Sequence, residues 1–234
     1  MAQAKKIKLD KREEANYNQL KDISFGLGAS VFGVADIKEA KHKFAISSNL
    51  INKFDKAISL GARLSESLLE EIDDQPTKTY YYHYRTVNAL LDLIAVRITN
   101  FIQDQGYSAF PVPVSQILDW NTQKGQLSHK RVGVLAGIGW IGRNNLLVNE
   151  KLGSQFRITT ILTDMPLILD KPVKFGCGTC KACVAACPAG AIKENPEDYD
   201  LNLCTEKLKD FTRKHIVEQF VCGVCVNACR GKNK

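Results

Sequence analysis

The sequence predicts an α/β or α+β domain with a central sheet, followed by a smaller domain of different make. Three observations lead there. Strand-like and helix-like stretches alternate over residues 1–165. A short connector, MPLILDKP, follows, with Pro166 and Pro172 near its ends. Beyond it the composition shifts to small residues and cysteine, and all eight cysteines fall between Cys177 and Cys229. The boundary is therefore placed near residue 170, giving domains of 1–170 and 171–234. At 234 residues and 44% hydrophobic, the chain has enough apolar material for a packed core.

Residues 10–28 read as an amphipathic helix ending at a glycine-rich stop, and ASVFGVADI after it as a short buried strand. Residues 56–64 read as a second buried strand. Ser65 offers a cap for the helix ESLLEEI, which breaks at Asp73–Pro76. The longest helix is expected from Thr79 to Gln105, where Leu90, Leu91, Ile94, Ile98, Phe101 and Ile102 recur at three- and four-residue steps. Residues 107–114 are extended, because two prolines forbid a helix. Residues 128–138 form a short helix that enters a glycine-rich turn, and 155–164 the clearest strand. Within the cysteine region, 205–221 read as a basic helix with Phe211, Ile216 and Phe220 on its apolar side. Such a helix covers a metal site from solvent or offers a docking surface to an electron donor.

Charge is less informative. Lys and Arg outnumber Asp and Glu by 32 to 25, a net of +7 that falls short of a nucleic-acid-binding arm. No run approaches the roughly 18 apolar residues that span a bilayer. The basic start lacks the apolar stretch of an export signal. These features place the chain in the cytoplasm, away from membranes, where clustered cysteines point to metal rather than disulfides.

Cys177, Cys180, Cys183 and Cys187, followed by Pro188, match the C-x2-C-x2-C-x3-C-P run of bacterial-type ferredoxins, whose fourth cysteine serves the other cluster. The second half supplies Cys204, Cys222, Cys225 and Cys229. One [4Fe–4S] cluster is expected on Cys177, Cys180, Cys183 and Cys229, and a second on Cys187, Cys204, Cys222 and Cys225. The competing reading is one zinc on Cys177, Cys180, Cys222 and Cys225. It leaves four cysteines unexplained.

Ahead of the cysteines lies Gly137-Ile-Gly139-Trp140-Ile-Gly142-Arg143-Asn144. It mimics the dinucleotide fingerprint, but it follows a helix and runs into a loop rather than following a strand and opening a helix. A structural turn or a ligand loop of another kind remains.

The stretch from Ala136 to Asn144, the later L-G-S, and the run from Cys177 to Ile192 resemble the epoxyqueuosine reductase family. That resemblance implies a corrinoid-binding domain joined to a two-cluster ferredoxin domain, an arrangement shared with reductive dehalogenases. It implies cobalamin beside two [4Fe–4S] clusters, with Gly137, Gly139, Trp140, Gly142, Arg143 and Asn144 binding cofactor. Lys130 and Arg131 are further candidates for holding an anionic part of it. The implied partners are a ferredoxin- or flavodoxin-type electron donor, a small-molecule substrate or corrinoid, and tRNA.

In the family an aspartate upstream of the turn looks like the proton donor, yet Asn121–Ser128 holds no acid. His129 and Asp119 are the catalytic candidates, with Tyr82 behind them. Arg230 follows the last ligand where the family has proline, and the expected helical repeat that grips tRNA does not follow. The expected function is a corrinoid-dependent oxidoreductase fed by two clusters. The alternatives are an electron-transfer protein without its own substrate and a reductive activator of a partner's corrinoid.

Overall fold

A computed structural model of the chain describes residues 2–119 and 123–231. Helix α1 (Ala2–Gly26) opens it. The helix starts well before the apolar periodicity does, because the Ala-, Gln- and Lys-rich residues ahead of it are good helix formers without an apolar stripe. Strand β1 (Val31–Asp36), the single turn α2 (Ser48–Ile51), strand β2 (Lys56–Arg63) and the short α3 (Glu66–Glu70) follow. Next come the long α4 (Lys78–Asp104), β3 (Ala109–Val112) and α5 (His129–Leu135). The glycine-rich turn leads into a small hairpin, β4 (Trp140–Ile141) and β5 (Leu147–Val148), and then β6 (Phe156–Thr163). The cysteine region holds α6 (Ala182–Ala186), α7 (Leu201–Arg213) and α8 (Val224–Asn227).

The chain divides into two compact units. The first comprises residues 1–62, 88–138 and 158–172. Its sheet runs β1-β2-β6-β3. Strands β1 and β2 pair antiparallel from Val31↔Gly61 to Asp36↔Lys56, and β3 pairs antiparallel with β6 from Ala109↔Thr163 to Val112↔Thr160. The two inner strands are buried on both faces: Ala57, Ile58, Leu60 and Ala62 on β2, Thr159 to Thr163 on β6. Pro111 sits on the edge strand β3, where its missing N–H costs no ladder bond. The sheet is thus of the α+β kind.

The other edge, β1, is covered by the connector. Asp170 N donates to Val34 O (2.8 Å) while Val34 N donates to the Asp170 carboxylate (2.8 Å). The Tyr17 hydroxyl donates to the same carboxylate at 3.0 Å. Burial first, and Asp170 beside it, push the Tyr17 phenol up to about 12.

The second unit comprises residues 63–87, 139–157 and those from 173 onward. The unit that carries the cysteines is therefore larger than the segment that composition marks off. Its core gathers Leu69, Ile72, Tyr80, Ile192, Phe211, Val217 and Val224. Gly223, in the left-handed region at φ 86°, lies so close to Tyr80 that a Cβ there would stand 2.5 Å from the ring. The basic helix differs from its expected bounds. It begins at Leu201, because the Asp200 carboxylate accepts from Leu203 N (3.0 Å) and caps it there. It ends at Arg213, ahead of His215 at φ 56°. Phe211 is the buried anchor, whereas Ile216 and Phe220 lie beyond the helix.

Candidate metal centre

The eight thiols sort into two groups. Cys183 is buried, and the thiols that bear on it are Cys229, Cys177 and Cys180; burial, with these neighbours adding to it, pushes its pKa up to about 11. Cys222 rises to about 11 as well, mainly through burial, with Cys204 and Cys187 adding to it. Cys225 is pushed well above the ordinary thiol value by burial, with Cys222, Cys204 and Cys187 around it and Cys183 also in range. Cys183 thus keeps company with Cys229, Cys177 and Cys180, and Cys222 with Cys204 and Cys187, while Cys225 has neighbours from both expected sets. Cys177 and Cys180 fall in one group, Cys222 and Cys225 in the other, which is not the pairing one zinc would need.

Among the described residues, no three His, Cys, Asp or Glu come together closely enough for a single metal ion. Four thiols around an open centre suit a cubane, whose corners stand apart, each iron taking its own thiolate. Thiols this buried keep their protons until a cation replaces them.

The second group lines one pocket of about 360 Å³, its mouth included. Cys187, Cys204, Cys222 and Cys225 all face it, and Ala191, Ile192 and Leu208 supply apolar wall. The Tyr199 hydroxyl donates to Cys204, and burial together with that thiol raises the phenol far above its ordinary value. Lys207 also lines the pocket.

The first group is built differently. Its loop is strapped from outside by Arg143, whose guanidinium donates to Glu194 O (2.6 Å), Gly178 O (2.8 Å) and Cys180 O (2.9 Å). Trp140 is buried, and its Nε1–H donates to Cys177 Sγ (3.2 Å). Gly142 comes so near that a Cβ there would lie 3.5 Å from the same sulfur and 2.6 Å from Val148 Cγ2. Asn144 is buried and donates to Ser154 Oγ (3.1 Å), and Ser154 in turn hydrogen-bonds Cys229. Cys180 is exposed.

The glycine-rich turn is thus filled by the protein itself. A Cβ at Gly139 would collide with Val148 O, and one at Gly137 would stand 2.7 Å from Lys171 O. Trp140, Arg143 and Asn144 reach toward the cysteine loops. Sequence reasoning found these residues without finding what they face. Ser154 stands in L-G-S and Tyr80 in YYYHYR, but neither the contact of Ser154 with Cys229 nor that of Tyr80 with Gly223 leaves a local periodicity.

The catalytic candidates lie in the first unit. His129 opens α5, with Nε2 donating to Pro113 O (3.1 Å) and Nδ1 accepting from the Thr160 hydroxyl (2.8 Å). The carbonyl can only accept, so the neutral ring carries its proton on Nε2. Asp119 is exposed and pairs through its backbone with Lys124 (3.1 Å both ways). Asn121 and Thr122, in the stretch without an acid, and Trp120 before it lie outside the described residues. Tyr82 is exposed on α4, and Arg131 N donates to Ser128 at the α5 cap.

Residues 176–232 match the family described as a 4Fe-4S double cluster binding domain. The chain therefore carries a domain for two [4Fe–4S] clusters. An epoxyqueuosine reductase of Leadbetterella byssophila is 33% identical over 205 residues, 77% of this chain and 64% of that protein. The chain is a relative of the epoxyqueuosine reductases. It spans less than two thirds of that relative's length. A crystal structure of epoxyqueuosine reductase with an epoxyqueuosine-modified tRNA-Tyr stem loop covers 91% of this chain at TM-score 0.61 and 18% identity, and 64% of that chain is matched. A reductive dehalogenase whose structure suggests a mechanism for B12-dependent dehalogenation covers 92% at TM-score 0.68 and 18% identity, with 32% of that chain matched. Both likenesses establish the shared fold. Among the described residues no helix is long and apolar enough to cross a membrane.

Proposed function

We propose that this chain is an iron–sulfur oxidoreductase of the cytoplasm that uses two [4Fe–4S] clusters to reduce a corrinoid associated with residues 1–170. Residues 171–234 supply all eight ligands, in the two sets given by the spacing. The observation that carries the reading is the pocket that gathers Cys187, Cys204, Cys222 and Cys225 from three separate stretches of chain. When bound, the clusters supply one-electron transfer and a corrinoid supplies a strongly reducing cobalt centre.

The chain's own residues do the rest. The apolar wall of Ile192 and Leu208 keeps water from the second group. Arg143 fixes the carbonyls of the first loop, so its thiols converge without searching. Gly139, Trp140, Gly142, Arg143 and Asn144 serve the cysteine unit, Gly137 packs against Lys171, and we assign none of the six a corrinoid contact. Of the two residues proposed to deliver a proton, His129 would act only as the imidazolium, with its ring held between Pro113 O and the Thr160 hydroxyl, and Asp119 is exposed. The proposed donor is a protein of ferredoxin or flavodoxin type. The proposed substrate is a small molecule or a modified nucleoside, with tRNA supported by the fold it shares with the tRNA-bound reductase.

Commitment of the glycine-rich turn to the cysteine loops favours one second reading, an electron-transfer protein with no substrate of its own. Anaerobic purification followed by hydroxocobalamin loading and desalting separates the two. The reductase reading expects about eight irons per chain and one retained corrinoid. Eight irons with no corrinoid leaves the electron-transfer reading. A colourless protein containing zinc ends both.

A further inference from the structure

Outside the thiols themselves, the most specific contact in the cysteine unit is made by an indole. Trp140 lies in the two-residue strand β4, buried, with its Nε1–H 3.2 Å from Cys177 Sγ. Its position is over-determined. The far edge of the ring lies against Gly176, where any Cβ would stand 2.7–3.0 Å from Cη2, Cζ2 and Cζ3. On the other side of the same sulfur Gly142 admits the chain at 3.5 Å. The half-buried sulfur is therefore approached by a donor whose direction is fixed by the packing of its ring.

An indole N–H is a donor only and cannot reverse its role. A thiolate bound to iron carries more negative charge when its cluster is reduced. A donor held against it stabilises the reduced form more than the oxidised one, and hydrogen bonds to cluster sulfurs are among the levers that set potential. We propose that Trp140 is a positioning residue that raises the reduction potential of the cluster ligated by Cys177, Cys180, Cys183 and Cys229 above the value it would have without the indole. The exposed Cys180 on the same loop gives an external donor its point of approach. Ser154, bonded to Cys229, acts on the same cluster from its opposite end. This inference rests on the ligand sets proposed above.

The test is a redox titration followed by electron paramagnetic resonance on the full, anaerobically purified chain. Trp140→Phe removes the donor and keeps most of the ring. The chain has two tryptophans, so a closer isostere is available. Benzothienylalanine, incorporated in place of tryptophan in a Trp120→Phe background, replaces N–H by sulfur at almost the same shape, with W120F alone as reference. Both variants should retain about eight irons. At a fixed poise, the reduced-to-oxidised ratio of one cluster should fall about tenfold, equivalent to about 59 mV for a one-electron couple, while the other is unmoved. Ser154→Ala should shift the same signal in the same direction. Eight irons with both potentials unchanged overturns the role of Trp140 and leaves the ligand sets standing. Loss of four irons in both variants also overturns it, making the indole a structural strut. A wild-type chain without eight irons removes the ligand reading beneath it.

Discussion

Two groups of four cysteines, identical in chemistry, sit in opposite surroundings. The group of Cys187, Cys204, Cys222 and Cys225 closes on a pocket walled by Ala191, Ile192 and Leu208, with one phenol reaching in. The group proposed on Cys177, Cys180, Cys183 and Cys229 takes three members from the 177–183 stretch, one of them exposed, and the fourth from Cys229, held by a guanidinium, an indole and a hydroxyl. Ligand type therefore does not differentiate the two centres, and environment does. Solvent exposure, hydrogen bonds and nearby charge are what tune such clusters. One site is shaped by hydrophobic packing, the other by directed polar contacts.

The comparison breaks most sharply if one group can be emptied alone. Cys204→Ala should remove four of the eight irons expected per chain and leave the spectrum of the other cluster intact, as iron analysis and paramagnetic resonance would record. Loss of all eight would mean that the two sites fold as one. Gly223→Ala strikes the packed side. It forces a Cβ to within 2.5 Å of Tyr80 at a backbone φ of 86°, and should lower stability by about 2–4 kcal/mol, measured by urea unfolding.

Arg143→Ala strikes the strapped side by deleting three bonds to backbone carbonyls. Because these bonds lie near solvent, the expected loss is about 1–2 kcal/mol. It should appear chiefly as faster release of iron to a chelator from the Cys177 group. Lysine should not restore it, because one ammonium cannot reproduce the planar fork.

Tyr199→Phe sharpens the contrast without emptying either site. It removes the hydroxyl on Cys204 and should lower the potential of the pocketed cluster alone, with iron content unchanged.

The smallest effect is a pH dependence. Ser65 N donates to His83 Nε2 at 3.0 Å, and burial holds that imidazole below its ordinary value. The neutral ring is the acceptor, so the unfolded chain binds the extra proton. Stability from this contact is complete above about pH 6.5, and it declines as pH falls toward the lowered folded-state value, below which it levels off. His83→Phe should flatten the unfolding midpoint over pH 7.5 to about 5.

Much of this was legible in the chain because the signals were local. Two-residue gaps between cysteines mark the double-cluster domain that residues 176–232 match, and the runs now seen as β2 and β6 read as buried strands because their apolar and β-branched residues are continuous. The long helix α4 followed from its three- and four-residue steps. What escaped was what a residue faces across the fold. Trp140, Arg143 and Asn144 announced themselves by type beside glycines, but the Cys177 sulfur and the Cys180 carbonyl are distant in sequence. His129 is a catalytic candidate by residue type beside two basic residues, and only the fold supplies Thr160 and Pro113 O to occupy its ring. The start of α7 moved for a local reason that composition hid, a capping carboxylate at Asp200.

The make-up of the cysteine unit has a practical consequence. A fragment excised at the composition break would carry every thiol, yet leave behind residues 63–87 and 139–157, which belong to the same unit. With them would go the indole on Cys177, the guanidinium strap and the buried tyrosine under Gly223. Such a fragment would be a ligand set without walls. A transplantable electron carrier drawn from this protein has to be stitched from three separate stretches of its chain.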